Sequence, residues 1–207
     1  MMKKIGLLVT FIFTCLISSA QDYAKYGMNT KDFTPQGLEV GDIAPDFLGV
    51  NQNGEKVSLS DNLNKGKVVL IFYRGYWCPV CSRYLKQYQD SLQLITEKGA
   101  QIIAVTPEQE EGVDKTVKKV KADFDIISDR NNEIQKKYDV LFKVTDDYDK
   151  KIHKFLSANI AENNKTTEAY LPVPATFIIG ADGKIKYVQF DPNYKNRSTV
   201  KSMLDNL

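Results

Sequence analysis

The sequence predicts an α/β domain in which a mixed central β-sheet is flanked by helices. Residues 68–73 form a continuous apolar run rich in β-branched and aromatic residues, which is typical of a strand buried on both faces. Strand and helix patterns alternate from there to residue 138, which favours parallel strands joined by helical crossovers. Two apolar segments surround Gly180-Ala181-Asp182-Gly183, so a closing hairpin should add an antiparallel edge to the sheet.

The individual elements follow from local patterns. The turn-rich stretch Asn51-Gln52-Asn53-Gly54 separates two short apolar segments and predicts an N-terminal hairpin of 47–50 and 56–59. After the buried strand, apolar residues recur at spacings of three and four from Leu85 to Ile95, which predicts one helix ending near Gly99. The later strands are predicted at 101–105, 124–127, 175–179 and 184–189, and the later helices at 108–121, 133–138 and 199–207.

Two segments do not fit this alternation. Residues 21–40 are polar and aperiodic, and we expect a tether or a loosely packed extension there. Residues 141–172 fit no strand and are interpreted as a partly helical insertion near the active site. The expected organisation is therefore a leader at 1–20, an extension at 21–40 and one domain at 41–207 that contains this insertion.

Length and charge narrow the functional classes. With 207 residues, of which 43% are hydrophobic, the chain is long enough for one buried core. The 28 Lys and Arg residues and 26 Asp and Glu residues are scattered, and the net charge of +2 gives no strong field. No nucleic-acid or membrane-surface partner is predicted, and the sequence indicates no oligomeric state.

The first twenty residues have the order of an export signal. Lys3 and Lys4 precede an apolar run at 5–17, and small residues lead to Ala20, after which we expect cleavage. The run is shorter than the roughly 20 residues of a spanning helix, which disfavours a retained anchor. Lipid attachment at Cys15 is a further alternative, although Thr14 is a poor match to the small residue expected before it. The predicted location is the periplasm of a bacterium with two membranes.

Cleavage of the signal leaves only two cysteines, Cys78 and Cys81. A bridge between residues three apart closes a very small loop and stabilises a fold little, so a structural disulfide is a weak explanation for the pair. Cys78 follows a buried strand, and Pro79 suits the first position of a helix, which would place Cys78 at the N-cap. There the free N–H groups and the helix dipole favour a thiolate. Cys81 would lie one turn further on, within bonding range.

Other chemistries are less well supported. Structural zinc needs four ligands, and the chain has a single histidine, His153, so no metal site and no cofactor are predicted. His153 is interpreted as a surface residue. Trp77 either covers the sulfur pair or fills the core beside the strand. Arg74 either stabilises a thiolate or is a surface charge at a strand end, and its position near the cysteines slightly favours the active role.

These residues together resemble the peroxiredoxin-like branch of the AhpC/TSA family, which belongs to the thioredoxin-like superfamily. The resemblance covers about Gly41 to the C-terminus. It rests on Gly41-Asp42-Ile43-Ala44-Pro45-Asp46-Phe47, on Phe72-Tyr73-Arg74-Gly75-Tyr76-Trp77-Cys78-Pro79-Val80-Cys81, on Ser128-Asp129, and on Pro174-Ala175-Thr176-Phe177-Ile178-Ile179 with Asp182-Gly183. It implies a thioredoxin-like fold and a redox-active cysteine pair.

Two patterns of the superfamily overlap at this motif. As a thioredoxin-like motif, Cys78 is the attacking thiol and Cys81 resolves the mixed disulfide. As a peroxiredoxin motif, Cys81 attacks the peroxide and Cys78 stands where Thr or Ser is usual. Typical peroxiredoxins have Pro in place of Arg74 and Arg in place of Pro174, which weakens the second pattern unless Arg74 substitutes. Thioredoxin-like reductases have a cis proline there, so a cis Pro174 beside an open backbone edge for a substrate strand is expected.

Three functional hypotheses result. The first is a thiol–disulfide oxidoreductase of the cell envelope, acting on protein or small-molecule disulfides and recycled by a thioredoxin-like or membrane-linked reductant. The second is a peroxidase for hydrogen peroxide or alkyl hydroperoxides, in which Cys81 becomes a sulfenic acid and condenses with Cys78. The third is a non-catalytic binding module that uses the Pro174 edge and the 141–172 insertion.

Overall fold

A computed structural model describes residues 23–31 and 33–207. The export signal, its cleavage after Ala20 and the lipid alternative at Cys15 lie outside these residues. Within them, no helix combines the length and apolar character that crossing a bilayer requires.

The centre of the fold is a five-stranded mixed sheet, as predicted. Its order is β5-β4-β3-β8-β9, with β3, β4 and β5 parallel and β8 and β9 antiparallel to their neighbours. The sheet strands are β3 (Lys67–Phe72), β4 (Ala100–Thr106), β5 (Asp125–Ser128), β8 (Ala175–Ile179) and β9 (Ile185–Phe190). The N-terminal hairpin is confirmed as β1 (Leu48–Val50) paired with β2 (Lys56–Ser58).

Helices cover both faces of this sheet. They are α1 (Leu59–Leu63), α2 (Pro79–Asp90), α3 (Leu92–Glu97), α4 (Glu110–Val120), α5 (Glu133–Lys137), α6 (Asp146–Leu156), α7 (Ile160–Asn164) and α8 (Val200–Asp205). Alternate residues of β3 enter two apolar clusters: Val69 and Ile71 pack with Leu85 of α2, whereas Val68, Leu70 and Phe72 join the opposite cluster. The continuous apolar run of β3 therefore results from burial on both faces.

The helix predicted to run from the cysteines to Gly99 is broken. Ser91 has a non-helical backbone, with φ −109° and ψ 9°, and separates α2 from α3. Its amide donates to both Gln87 and Tyr88, a bifurcated bond common at helix ends. Leu85, Tyr88 and Ile95 are nevertheless buried on one side, so the apolar periodicity predicted the face correctly and missed the break.

Two expectations about irregular segments were wrong. Residues 141–172 are partly helical, but they also contain β6 (Leu141–Lys143) and β7 (Tyr170–Pro172), which pair antiparallel across the two helices of the insertion. The extension is not loosely packed where it is described, because Met28 is 1% exposed and forms a bridge with Val144. The β6–β7 pairing is three residues long, and the contact of Met28 with Val144 is a single bridge. Each joins residues that are distant in sequence, which local patterns do not reveal.

Candidate active site

The site lies where the carboxyl ends of the parallel strands meet. The loop 73–78 follows β3, and Glu108 follows β4, its partner in the sheet. The hydroxyl of Ser128, at the end of β5, donates to the carbonyl of Glu108 at 2.6 Å. Ligand sites of parallel sheets favour this edge because successive strands deliver their following loops to one place.

Cys78 is the N-cap of α2, as predicted. Its backbone is extended, Pro79 occupies the first turn, and its Sγ accepts the amide N–H of Cys81 at 3.3 Å. An N-cap side chain in this position compensates a backbone donor that has no partner within the helix. The sulfur is thus held against the positive end of the helix dipole.

The two cysteines are free thiols, and the Cys78 sulfur contacts the backbone amide of Cys81. Cys78 is fully buried and Cys81 is 2% exposed. The two cysteines lie one helical turn apart at the start of α2, as expected, and bond formation between their sulfurs stays a prediction. Because both are covered, a bulky disulfide has no direct access to either in this conformation.

The negative charge of the pair is placed differently from the expectation. Burial raises the pKa of Cys81, but its hydrogen bond with Cys78 and the guanidinium groups of Arg197 and Arg74 outweigh this and hold the pKa well below its usual value. Burial and the neighbouring Cys81 charge hold the pKa of Cys78 well above its usual value. The pair therefore loses one proton readily and the second with difficulty, and the lower pKa belongs to Cys81, although Cys78 accepts more hydrogen bonds and shorter ones.

Arg74 is not a surface charge. It is 3% exposed, and its guanidinium donates to Sγ of Cys78 at 3.3 Å and to the hydroxyl of Tyr148 at 2.8 Å. Desolvation lowers the pKa of Arg74, but the charges of Cys78 and Cys81 outweigh it, so the group stays cationic. Of the two alternatives for this residue, the structure has the one next to the sulfurs.

A second guanidinium reaches the pair from the other end of the chain. We call residues 191–198, between β9 and α8, the strap. From the strap, Arg197 donates to Sγ of Cys81 at 3.6 Å, and the ring of Tyr194 lies 3.8 Å from the guanidinium carbon of Arg74. Within the part of the chain that the structure describes, neither guanidinium has a carboxylate partner at ion-pair distance.

A buried carboxyl group completes the site. Glu108 is fully buried, and its Oε2 accepts the amide N–H of Tyr76 at 2.7 Å. Burial and the nearby Cys81 charge raise the pKa of Glu108 to about 8. A proton can thus be held or released close to the sulfurs near neutral pH.

Gly75 makes room for this carboxyl group. Its φ is +153°, and a Cβ on it would lie 2.5 Å from Nε1 of Trp77 and 2.6 Å from Oε1 of Glu108. Both atoms are buried, and the described residues offer neither of them a hydrogen-bond partner. Trp77 is 7% exposed and belongs to the core, so the core alternative describes it, although Arg74 lies 5.3 Å from its ring.

The expectation for Pro174 was wrong. No peptide bond among the described residues is cis, so the Val173–Pro174 bond is trans. The preceding amide, of Val173, donates to the carbonyl of Val140 at 2.7 Å and is therefore not free to bind a substrate strand in this conformation. Pro174 comes immediately before Ala175, which pairs with Phe72 at the end of β3. It therefore lies at the level where the cysteine loop begins.

Sequence reasoning identified four residues that the structure brings together, Arg74, Trp77, Cys78 and Cys81. It missed Glu108, Tyr148, Tyr194 and Arg197. Glu108 had a usable signal, since it follows a parallel strand adjacent to the cysteine loop. The other three carried none, because they come from the insertion and the strap. His153 is exposed on α6, as expected of a surface residue.

A reactive thiol pair at the start of the helix that follows a central strand, in a mixed sheet of this order, defines a thiol oxidoreductase of the thioredoxin fold. Residues 40–188, more than half of the chain, match the AhpC/TSA family, and the chain belongs to that family.

Known relatives carry both of the activities that the motif suggests. The chain is 27% identical over 186 residues to the thiol-disulfide oxidoreductase ResA of Bacillus cereus, covering 89% of this chain and 87% of that protein. It is 32% identical over 103 residues to a putative peroxiredoxin of Buchnera aphidicola, covering 50% of this chain and 65% of that protein. Among solved structures, the peroxidoxin BcpB of Mycobacterium tuberculosis superposes with a TM-score of 0.63 at 20% identity, over 82% of this chain and 96% of that one.

Proposed function

We propose that this protein is a thiol–disulfide oxidoreductase that cycles Cys78 and Cys81 between dithiol and disulfide. The observation that carries the proposal is a pair of free cysteines one turn apart at a helix N-terminus, with a guanidinium group beside each sulfur. The likeness to ResA along most of the chain supports disulfide exchange as the activity.

The reaction needs one thiolate and two successive thiol–disulfide exchange steps. A thiolate of the pair attacks one sulfur of the substrate disulfide, forming a mixed disulfide and expelling the other sulfur as a thiolate. The second cysteine, on losing its proton, attacks the mixed disulfide, forms the internal bond and releases the remaining substrate thiolate. Glu108 is the buried group suited to take that proton, because its pKa of about 8 lies near the working pH. A thioredoxin-like or membrane-linked reductant then restores the dithiol.

A turnover assay tests this function. The reduced protein is mixed with a protein disulfide or a small disulfide, and the fluorescence of Trp77, the single tryptophan, reports oxidation of the pair. We expect rapid exchange in the wild type and complete loss of cycling in Cys78→Ser and in Cys81→Ser. A wild-type protein whose pair never cycles would contradict the proposal and return the fold to a binding role.

Peroxide reduction is the second candidate, and the contact between Arg197 and Cys81 favours it. A guanidinium beside Cys81 supplies the cation that the peroxiredoxin pattern has in place of Pro174. The Cys81 thiolate would displace an alkoxide or hydroxide from the peroxide, and the resulting sulfenic acid would condense with the Cys78 thiol to a disulfide and water. Rapid, saturating oxidation by micromolar peroxide in the same fluorescence experiment supports this candidate, and slow oxidation excludes it.

We further propose that the protein acts in the cell envelope after export. The order of charged, apolar and small residues in the first twenty positions supports this. The intact mass of the protein purified from its own cells tests the proposal, because cleavage after Ala20 leaves a chain beginning at Gln21. A mass that includes a lipid on Cys15 would instead establish anchoring, and an uncleaved chain would contradict export by this signal.

A further inference from the structure

The two sulfurs have different sets of partners. Cys78 is held by its own loop and helix, through the amide of Cys81 and the guanidinium of Arg74. Cys81 receives the guanidinium of Arg197, which comes from the strap, more than a hundred residues further along the chain. We call the loop 73–78 and the start of α2 the frame. The frame thus holds Cys78, and a separate segment contacts Cys81.

The strap is attached more weakly than the frame. Ser198, at its end, is buried, and its carbonyl accepts the hydroxyl of Tyr88 at 2.6 Å. Before Ser198, Pro192 is buried and the side-chain amide of Gln189 on β9 donates to the carbonyl of Asn196 at 3.4 Å, whereas the side chain of Asp191 binds only within the strap, to the amide of Asn193 and the side-chain amide of Asn196. Lys195 and Asn196 are exposed, so the segment can lift with Arg197 without unfolding the sheet.

Other titratable groups around Cys81 do not provide a cation. Tyr73 on the loop after β3 and Tyr88 on α2 are buried, and desolvation, the largest cause, raises the pKa of each, so both stay neutral. Glu108 is an acid and opposes a charge on Cys81. Arg74 acts on both sulfurs, which leaves Arg197 as the group that distinguishes them.

We propose that Arg197 is a positioning residue that assigns the thiolate to Cys81 while the strap is closed, and that the charge passes to Cys78 when the strap lifts. In the lifted state Cys78 keeps the helix N-terminal N–H and Arg74, whereas Cys81 loses its own cation. The strap thereby decides which sulfur attacks first: Cys81 under a closed strap, and Cys78 once the strap has lifted to admit a bulky disulfide. This inference rests on the proposed function, because it concerns the same sulfur pair.

Single-cysteine variants test the assignment. In Cys78→Ser only Cys81 titrates, and in Cys81→Ser only Cys78 does, and ultraviolet absorbance of the thiolate against pH gives each pKa. Adding Arg197→Gln should raise the pKa of Cys81 by about one unit, a tenfold loss of thiolate at a fixed pH below it, because a cation within about 4–6 Å lowers a thiol pKa by that order. The pKa of Cys78, measured in the Cys81→Ser background, should change much less, because Arg197 donates to Cys81 and not to Cys78.

Two controls separate this role from a structural one. Lys195→Gln removes an exposed cation of the same strap that makes no contact with a sulfur, and it should leave both pKa values unchanged. Arg197→Lys keeps the charge and should restore most of the acidity of Cys81. If Arg197→Gln does not raise the pKa of Cys81 more than that of Cys78, or if Lys195→Gln has the same effect, the inference is overturned. Cycling of the wild-type pair is measured separately, so such a result leaves the proposed function intact.

Discussion

The loop 73–78 and the strap place one guanidinium each beside the sulfur pair, but they do so by different means. The loop continues a central strand, is almost wholly buried and ends in a helix cap, so Arg74 has one conformation imposed by packing. The strap is half exposed and reaches the site through Tyr194 and Arg197. The difference teaches that a fixed frame and a movable segment can divide the control of one charge between them.

The largest loss of stability is expected from a substitution in the frame, at Gly75. Gly75→Ala places a Cβ against the indole of Trp77 and the carboxyl of Glu108 and requires a positive φ, so it should lower the free energy of unfolding by about 2–3 kcal/mol. Gly183→Ala is the matched control, because Gly183 also has a positive φ, +75°, but nothing lies within 4 Å of its Cβ position. Urea denaturation measures both. Equal losses would show that strain, and not the close approach, makes glycine necessary at position 75.

Removing the cation of the frame should affect Cys78 most. Arg74→Gln, in the Cys81→Ser background, should raise the pKa of Cys78 by about one to two units, since both the hydrogen bond and the charge are lost. Thiol alkylation against pH measures this. Arg83→Gln removes an exposed cation from α2, the helix that Cys78 caps, and should have no such effect. An unchanged pKa in Arg74→Gln would leave the helix N-terminus as the sole support of the Cys78 thiolate.

The buried carboxyl group beside the frame should make stability depend on pH. Burial and the nearby Cys81 charge raise the pKa of Glu108 from 4.5 to about 8, so between these values the folded state binds more protons than the unfolded state. The contribution of Glu108 to the free energy of unfolding is then fully present below about pH 4.5. It falls as pH rises towards 8, by at most about 1.4 kcal/mol per pH unit.

Urea denaturation from pH 5 to pH 8 measures this in a Cys78→Ser/Cys81→Ser background, where no thiol titrates and the part of the shift that remains is the part due to burial. Glu108→Gln should flatten the dependence, whereas Glu111→Gln, an exposed glutamate of α4, should not. Parallel curves for the protein with Glu108 and for Glu108→Gln would show that Glu108 is ionised throughout this range.

The smallest change in stability is expected from the strap. Tyr194→Ala removes the ring that stacks on Arg74 and should cost less than about 1 kcal/mol, as partly exposed cation–π contacts do. The same variant should nevertheless speed alkylation of the reduced pair, because the strap lifts more often. Pulse alkylation with mass spectrometry measures the rate. A large loss of stability, or unaltered alkylation, would show that the strap belongs to the rigid frame.

Local patterns determined much of this protein. The continuous apolar run at 68–73 predicted the central strand, and the spacing of Leu85 and Tyr88 predicted the buried helix face. The sequence Cys78-Pro79 predicted the thiol at the N-cap of α2. Each of these is a property of neighbouring residues. The family motifs extended this to a thioredoxin-like fold, whereas the order of the strands came only from the structure.

Only the tertiary structure decided how the pair is charged. Arg197 and Tyr148 come from segments with no periodicity that points to the site, and the trans bond before Pro174 was not predicted either. Which sulfur ionises depends on a difference between two cations a few ångströms away, and such distances are set by packing of segments remote in sequence. The sequence by itself specified the reactive pair, and the fold specified the charges that govern it.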